Sequence, residues 1–385
     1  MSPLRPFLAA LVLAAPAALL PQPVLAQSVP RVSLGRAEAE LSDPFDNVTA
    51  VRELSDGRVI VADRFAKTVT LADFRAGTAT AIGREGQGPG EYAFPAGLVA
   101  LPGDTTLLVD PGQRRFLVIG PGAKPTGLLS FPGNMMGLLR VRGSDRQGRV
   151  YLQGNEMSGL QPGAKLPDSV VVLRWDRARD RIDTLGRIKV PSLQTASSGS
   201  ANARSFVMRA QPFSPQDDWS VGADGQVAVA RVGNYHVEWW KPTGQKVSGP
   251  AVAYQKVAVS QADKDRYKAS SGNPRGGFRM IVEGGGRGAA PTAPPPSLSE
   301  PDWPEFKPAF RDGTSQVAPD GSLWVQRYGA AEAPLVYDVF DASGRLTRQV
   351  AMPKGTRLVG FGAHGMYVAT TTEDELETLA RYPRP

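Results

Sequence analysis

The chain has 385 residues, with 44 Lys or Arg and 37 Asp or Glu, and carries a formal net charge of +7 at pH 7. It contains no Cys and only two His, which excludes disulfide frameworks, thiol nucleophiles, Cys-ligated zinc and metal sites built from clustered histidines. With 42 Gly and 34 Pro, the chain turns too often for long helices or a coiled coil to dominate.

The first 26 residues have the pattern of a secretory signal peptide. Arg5 supplies a positive charge, residues 7–20 are apolar, and residues 24–26 (VLA) form a small-residue cleavage site. Spanning a bilayer takes about 20 apolar residues, and this stretch is shorter and carries Pro16. We therefore expect cleavage after Ala26 and a mature protein in the periplasm or the medium, without membrane insertion.

A short motif recurs along the chain, in which a turn containing Gly precedes a strand rich in Val, Ile, Leu, Tyr or Trp. Its six copies lie at 55–63 (SDGRVIVAD), 102–110 (PGDTTLLVD), 147–154 (QGRVYLQG), 224–231 (DGQVAVAR), 320–327 (DGSLWVQR) and 364–369 (HGMYVA). Gly57, Gly103 and Gly148 are 46 and 45 residues apart, and Gly321 and Gly365 are 44 apart. A fixed period of this size is typical of repeat architectures.

A second strand and turn follow most copies of the motif. They lie at 71–77 (LADFRAG), 116–122 (FLVIGPG), 170–180 (VVVLRWDRARD), 237–244 (VEWWKPTG) and 337–344 (YDVFDASG). Each period therefore holds about four strands joined by Gly-centred turns, the pattern of hairpins. Consecutive apolar residues, as at 59–62, indicate strands that are covered on both faces. Repeated antiparallel sheets of this kind predict an all-β propeller with blades stacked around an axis.

The stretch 83–100 (GREGQGPGEYAFPAGLVA) resembles the glycine-rich link, and the aromatic, Pro and Gly that open a blade, in NHL-type and related secreted bacterial six-bladed β-propellers. The segment 94–131 matches that pattern throughout, and the other copies match at the second strand and its turn. The resemblance implies a six-bladed β-propeller. It implies little about activity, because this architecture hosts many unrelated functions.

Six blades of four antiparallel strands are predicted at 48–83, 94–131, 137–190, 212–258, 306–352 and 355–385. The last is too short for four strands. The segment 30–36 (PRVSLGR) is available to supply the missing strand, so that an N-terminal strand closes the ring and removes an open sheet edge. Residues 27–385 are therefore expected to form a single domain and a monomer.

Two segments fall outside the repeat. Residues 191–211 are predicted to be a polar loop between blades three and four. Within the insertion 260–310, Ser260 is an N-cap candidate for a short helix over 260–268. The Gly- and Pro-rich stretches at 284–286 and 294–296 predict that the insertion is partly mobile. The insertion could act as a lid or be a tolerated surface loop, and we favour the loop.

Polar residues are predicted to collect at one mouth of the central channel. In a four-stranded meander, the loop between the second and third strands leaves on the same side as the link to the next blade. The positions that follow the second strands are Asp63, Asp110, Gly154, Arg231, Arg327 and Thr371, and the link after blade one adds Glu85 and Glu91. Acidic and basic blades facing each other suit a ligand whose anionic group is held by Arg. Alternatively, each Asp caps its own loop and each Arg covers apolar surface.

Catalytic signatures are mostly absent from the sequence. It has no Gly-x-Ser-x-Gly elbow, His-Glu-x-x-His pair or phosphate-loop motif. The link at 83–95 carries Pro89 and does not run into a helix, so it is interpreted as a turn rather than a phosphate cradle. His236 and His364 are the candidate general bases. The aromatic residues Trp175, Trp239, Trp240 and Trp324 are expected to pack between blades.

The leading hypothesis is a non-enzymatic exported propeller that binds a peptide, glycan or envelope protein through Asp63, Glu91, Asp110, Arg231 and Arg327. No cofactor is required. Nucleic acid is not an expected partner, because Lys and Arg are scattered without a basic run. The alternative is a metal-dependent lyase or hydrolase in the central channel, where Asp63, Asp110 and Glu91 could hold calcium or another divalent ion. A third hypothesis is a structural interaction module that uses its outer edges.

Overall fold

The regular structure consists almost entirely of short β-strands in a computed structural model that describes residues 29–132, 140–154, 166–200, 203–271, 278–283 and 298–385. The predicted signal peptide at 1–26 lies outside these residues, as do the Gly- and Pro-rich stretches at 284–286 and 294–296.

Six sheets follow one another along the chain, and we number them as blades one to six. Two N-terminal strands, β1 (Arg31–Ser33) and β2 (Ala39–Glu40), precede them. Blade one contains β3 (Val48–Glu53), β4 (Val59–Asp63), β5 (Thr68–Asp73) and β6 (Thr78–Ala81). A short parallel pair follows, β7 (Arg84–Glu85) and β8 (Glu91–Tyr92). Blade two contains β9 (Gly97–Ala100), β10 (Thr106–Asp110), β11 (Arg115–Gly120) and β12 (Lys124–Ser130).

The second half of the ring includes longer insertions. Blade three contains β13 (Arg140–Ser144), β14 (Val150–Gln153), β15 (Ser169–Asp176) and β16 (Arg181–Lys189), and the hairpin β17 (Leu193–Ser200) and β18 (Ala203–Ala210) follows it. Blade four contains β19 (Asp218–Val221), β20 (Val227–Arg231), β21 (His236–Trp240) and β22 (Lys246–Ser248), before α1 (Gln261–Ser271) and β23 (Phe278–Glu283). Blade five contains β24 (Gln316–Val317), β25 (Leu323–Gln326), β26 (Val336–Phe340) and β27 (Leu346–Ala351), and blade six contains β28 (Thr356–Phe361), β29 (Met366–Thr371) and β30 (Glu377–Tyr382).

The fold is the predicted all-β, six-bladed propeller. Within each blade the strands pair antiparallel in chain order. The first strands of neighbouring blades contact each other around the axis, and Gln316 Nε2 of β24 donates to the Val359 carbonyl of β28 at 3.3 Å. The first strands therefore form the inner ring, and the later strands of each blade lie progressively farther out.

The hydrophobic core lies between blades. Successive residues of β4 point to opposite neighbours: Val59 and Val61 pack with blade six, whereas Ile60 and Ala62 pack with Leu108 of blade two. The second strands read as continuous apolar runs because both of their faces are covered. The four tryptophans assigned to the core are buried, as predicted: Trp175, Trp239, Trp240 and Trp324.

N-terminal strands complete the ring, but not with the predicted segment. β2 pairs antiparallel with β30 and supplies the fourth strand of blade six. The predicted segment 30–36 instead contributes β1, which pairs parallel with β27 as a fifth strand of blade five. The outer edge strands of blades five and six can each accept one more strand. The repeat pattern shows that blade six is short, but it does not show which part of the N-terminal segment pairs with it.

The prediction of a polar loop at 191–211 was wrong. This segment forms the hairpin β17–β18, and β23 pairs with β18 to make a separate three-stranded sheet. Its register includes Phe206 opposite Met280, more than seventy residues away, so the local composition could not reveal the partner. The predicted helix is confirmed as α1, and Ser260 caps it by accepting the amide of Asp263 at 3.2 Å.

Candidate functional site

The two faces of the propeller differ in how the chain crosses them. One face, called here the turn face, carries the connections between first and second strands, each of four or five residues: 54–58, 101–105, 145–149, 222–226, 318–322 and 362–365. The other, the insertion face, carries the loops between second and third strands and the links between blades. These links include β7–β8, the three-stranded sheet and α1. Loops positioned by a rigid scaffold are where binding groups are most often found.

Asp63 and Asp110 lie at the ends of β4 and β10, as predicted, and both are fully buried. Asp63 accepts four hydrogen bonds at 2.7–3.0 Å, from the backbone amides of residues 46, 47, 65 and 66. Asp110 accepts two, at 3.0 and 3.1 Å, from the amides of residues 93 and 94. Each carboxylate ties the end of the second strand to the segment before the first, which is the capping alternative.

Arg231 ends β20 and Arg327 follows β25, and each is paired with an acid on the third strand of its own blade. Arg231 Nη2 donates to Glu238 Oε2 at 2.8 Å, and its Nη1 donates to Asp217 Oδ2 at 2.8 Å. Arg327 Nε lies 3.6 Å from Asp338 Oδ2. Both side chains remain about one-fifth exposed.

The two acids differ in solvation, and their pKa values move in opposite directions. Burial alone would raise the pKa of Glu238, but hydrogen bonds from Arg231 and Trp240 lower it to about 2. Burial raises the pKa of Asp338 despite the charge of Arg327 and a 2.7 Å hydrogen bond from the Tyr235 hydroxyl. The Arg231–Glu238 pair is therefore firmly ionic, whereas Asp338 is held in a poorly solvated place.

Glu91 lies in the glycine-rich link, which folds as a turn and not as a phosphate cradle. Glu91 Oε2 accepts the Gly88 amide at 2.8 Å, and Oε1 accepts Arg84 Nε at 2.7 Å. These bonds, first the amide and then the guanidinium, lower the pKa of Glu91. Gly83 has a φ of +65°, and a Cβ there would overlap the Gly90 carbonyl oxygen, so the turn requires glycine at this position.

The five residues lie on the insertion face, and each of their charged groups already has a partner within the chain. Asp63 and Asp110 are not open to a ligand, and they act as supports for loops. Glu91, Arg231 and Arg327 are partly exposed. Assignment of the set to ligand binding stays a prediction.

Exposed phenylalanines are the feature of the insertion face that sequence reasoning missed. Among the described residues, Phe65, Phe94 and Phe306 are 36–41% exposed and all lie on this face. The other exposed large apolar residues are aliphatic and lie on the outermost strands: Val32, Leu128 and Ile182. A single Phe in a loop has no periodicity, so its only sequence signal was a large aromatic inside a turn segment.

Arg64 joins two of these rings. Its guanidinium carbon lies 4.9 Å from the ring centroid of Phe65 and 5.9 Å from that of Phe94, within the range of cation–π contacts. The amide of Phe65 is held by Asp63, and that of Phe94 by Asp110. The buried carboxylates therefore position an aromatic and cationic surface at the junction of blades one and two.

Metal-ligating groups are dispersed in the part of the chain that the structure describes, which has no cluster of three or more His, Asp or Glu suited to a metal ion. The set considered for calcium, Asp63, Asp110 and Glu91, already accepts hydrogen bonds from backbone amides. A divalent ion would have to replace these donors. No helix within the described ranges is long and apolar enough to cross a membrane.

No protein-family model matches this chain, and no curated protein matches it. Among solved structures, a gluconolactonase from Xanthomonas campestris is 10% identical with a TM-score of 0.44, over 92% of this chain and 95% of that one. The calcium-binding protein regucalcin from Agrobacterium tumefaciens is 10% identical with a TM-score of 0.44, over 92% and 97%. A catalytically inactive virginiamycin B lyase from Staphylococcus aureus with quinupristin is 11% identical with a TM-score of 0.41, over 89% and 97%. These similarities are too distant to transfer an activity, and the NHL-type resemblance stays a prediction.

Proposed function

We propose that this chain is an exported binding protein that holds a peptide, glycan or envelope partner on its insertion face. The observation that carries the proposal is the pair Phe65 and Phe94, exposed by 41% and 36% and bridged by Arg64 on that face. Aromatic side chains exposed together commonly mark interaction surfaces, and a rigid ring of blades is a suitable support for the loops that present them.

The surface made by Phe65, Arg64 and Phe94 suits a partner with flat apolar faces and acceptor groups. Phenyl rings stack on sugar rings or on Pro and aromatic side chains, and a guanidinium binds carboxylate or hydroxyl oxygens. Under this proposal Glu91, Arg231 and Arg327 contribute charges around the surface. Asp63 and Asp110 contribute indirectly, because they hold the loops.

A direct test uses two double variants with similar expected loss of apolar surface. Phe65→Ser/Phe94→Ser removes the aromatic pair, whereas Leu128→Ser/Ile182→Ser removes equally exposed aliphatic residues from outermost strands. Ligands are selected with the unaltered protein from a random peptide display library and a glycan array. We expect the aromatic double variant to bind the selected ligands at least about 10-fold more weakly, since central aromatic contacts commonly dominate binding, and the aliphatic variant to bind normally. Equal binding by both variants, or no selected ligand from either source, would overturn the proposal.

The rival function, a metal-dependent lyase or hydrolase in the channel, is separated by metal analysis. A stoichiometric divalent ion in the purified protein, released by Asp63→Asn or Glu91→Gln, would support the rival and contradict non-enzymatic binding as the principal function.

Export is part of the proposal and rests on the signal-peptide pattern of residues 1–26. Fractionation of producing cells, followed by N-terminal sequencing, should place the mature chain outside the cytoplasm with Gln27 as its first residue. An intact N-terminus in the cytoplasmic fraction would contradict it.

A further inference from the structure

The turn face carries a separate polar cleft at the seam between blades one and six. It has a volume of about 300 Å³ and is lined by Asp56, Gly57, Arg58, Asp73, Phe74, Arg75, His364 and Arg381. The lining comes from two turns of blade one, the first turn of blade six and the end of β30. The cleft is at the lower end of ligand-pocket volumes, so it suits a small molecule rather than a polymer.

A buried carboxylate orients the imidazole in the wall of this cleft. Glu53, at the end of β3, is almost fully buried and accepts the Tyr367 hydroxyl at 2.6 Å. The Nδ1 of His364 is hydrogen-bonded to the same carboxylate, and the His364 amide lies 3.3 Å from it. Because the carboxylate can only accept, Nδ1 carries a proton, and Nε2 is left for other partners. The side chain of His364 is half exposed, so Nε2 is accessible.

Hydrogen-bond donors exceed acceptors in the lining. Arg58 is paired with Asp56 at 2.8 Å, and Asp73 Oδ1 is occupied by the amides of residues 75 and 76. In contrast, the guanidinium of Arg75 has no hydrogen-bond or ion-pair partner among the described residues. Arg381 Nε is buried without a hydrogen bond and forms an ion pair with Glu38 Oε2 at 3.5 Å. Arg75 is therefore the cationic group of the lining that is available to a ligand, and Arg381 beside it is held by a long ion pair with Glu38.

We infer that this cleft is a binding site for a small ligand bearing a phosphate or carboxylate group. Arg75 and Arg381 hold the oxyanion through charge-assisted hydrogen bonds, and His364 contributes Nε2 in the orientation that Glu53 imposes. Phosphate and carboxylate share this recognition chemistry, since both present several oxygens to guanidinium forks. The site lies on the face opposite to the proposed partner-binding surface and does not depend on it.

The two histidines of the chain make a built-in test. His364 lies in the cleft, whereas His236 begins β21 beside the insertion face. Imidazole resonances of the full chain are followed by NMR while inorganic phosphate is added, and in a second titration succinate. We expect a saturable shift of His364 in at least one titration, with His236 unchanged, and the titration with the tighter saturation identifies the oxyanion. Equal or non-saturating shifts at both histidines, or no shift at His364, would overturn the inference.

Matched arginine variants separate this site from general surface charge. Arg75→Gln should weaken the affinity of the saturating anion at least about 10-fold, because it removes a charged donor. Arg179→Gln is the control, since Arg179 is an exposed arginine in the equivalent third-to-fourth-strand turn of blade three. Equal weakening by both variants would show unspecific attraction and contradict the site.

Glu53→Gln tests the positioning of His364. We expect the tautomer signature in the His364 nitrogen shifts to change and the anion affinity to fall. The Phe65→Ser/Phe94→Ser protein should retain anion binding, so failure at one face is distinguishable from failure at the other. An unchanged tautomer signature in Glu53→Gln would remove Glu53 from the site.

Discussion

The turn face and the insertion face are stabilised by contacts of very different sequence range. On the turn face, Asp56, Asp224 and Asp320 each accept the amide two residues ahead, at 2.9–3.0 Å. On the insertion face, Asp63 reaches back to residue 46, and Asp218 accepts the amide of Ser315 from the next blade at 2.8 Å. The turns of one face satisfy their own backbone groups and add a few contacts between blades, such as Ser55 N to Asp104 Oδ1 at 3.1 Å. The other face relies more on contacts between distant segments.

This difference explains why the links that vary in length all lie on the insertion face. A turn that satisfies its own backbone groups can recur in every blade without reference to its neighbours. The insertion face has buried carboxylates that act as fixed anchors, around which links of different length can be held. Substitution of an anchor should therefore affect stability more than substitution of a turn residue.

The buried pair Lys307–Asp263 offers the strongest test of that difference. Lys307 Nζ lies 2.8 Å from Asp263 Oδ1 and donates to the Gly329 carbonyl at 2.9 Å, and both side chains are almost fully buried. Lys307→Met leaves the Asp263 charge buried without its ion-pair partner, and we expect the free energy of unfolding in urea to fall by about 3–5 kcal/mol.

The control for this variant is Lys268→Met, which breaks an exposed ion pair of the same helix with Glu300. It should change the free energy of unfolding by less than about 1 kcal/mol. Similar effects of the two variants would mean that α1 is not anchored through the buried pair.

Asp63→Asn should have the next largest effect. In the variant, the asparagine NH2 group replaces a carboxylate oxygen that accepts backbone N–H groups in the unaltered protein. We therefore expect the free energy of unfolding in urea to fall by about 2 kcal/mol. Asp56→Asn is the matching change on the turn face, at an exposed residue, and should cost less than about 0.5 kcal/mol. A larger loss for Asp56→Asn would reverse the comparison of the two faces.

The same division of contacts determines how much could be predicted from the sequence. Turns such as 55–58 and the apolar strand after them are defined by neighbouring residues, so blade number and the buried second strands were predictable. Blades four and five, predicted from 212 and 306, begin instead at Asp218 and Gln316. Asp63 and Asp110 were found through the repeat, since they stand at equivalent positions, but whether they contact a ligand or a loop depends on segments outside the repeat.

What could not be predicted lies in non-repeating segments. The pairing of β18 with β23 joins two separate insertions, and β2 rather than residues 30–36 completes blade six. Phe65 and Phe94 come together because two different loops meet at the junction of blades one and two, bridged by Arg64. Each of these features needs a three-dimensional neighbour that a local pattern does not specify.

Tyr367→Phe probes a place on the turn face where distant segments meet, the seam between blades one and six. The hydroxyl of Tyr367 donates to Glu53 at 2.6 Å in a buried setting. Its removal should lower the free energy of unfolding by about 1.5 kcal/mol, because a charged acceptor loses a donor. Tyr337→Phe removes a weaker 3.3 Å hydrogen bond to Gln326 and should cost less. A larger loss for Tyr337→Phe than for Tyr367→Phe would show that the hydrogen bond across the seam between blades one and six contributes little to stability.

The smallest expected effect concerns acid. The folded-state pKa of Glu238 is lowered from 4.5 to about 2, so the unfolded chain binds more protons in that interval. Its stabilising contribution is complete above about pH 4.5 and is lost as the pH falls toward 2. After allowance for solvent screening, we expect a difference of about 1 kcal/mol in urea unfolding between pH 5 and pH 3, which Glu238→Gln should remove.

Asp338 should act with the opposite sign. Burial raises its folded-state pKa, so above its ordinary titration range the folded chain binds more protons, and its contribution to stability increases as the pH falls through the folded-state pKa. Asp338→Asn should therefore steepen the loss of stability on acidification, whereas Glu238→Gln should flatten it. If both variants changed the pH dependence of the unfolding free energy in the same direction, the acids paired with Arg231 and Arg327 would have similar solvation, contrary to this expectation.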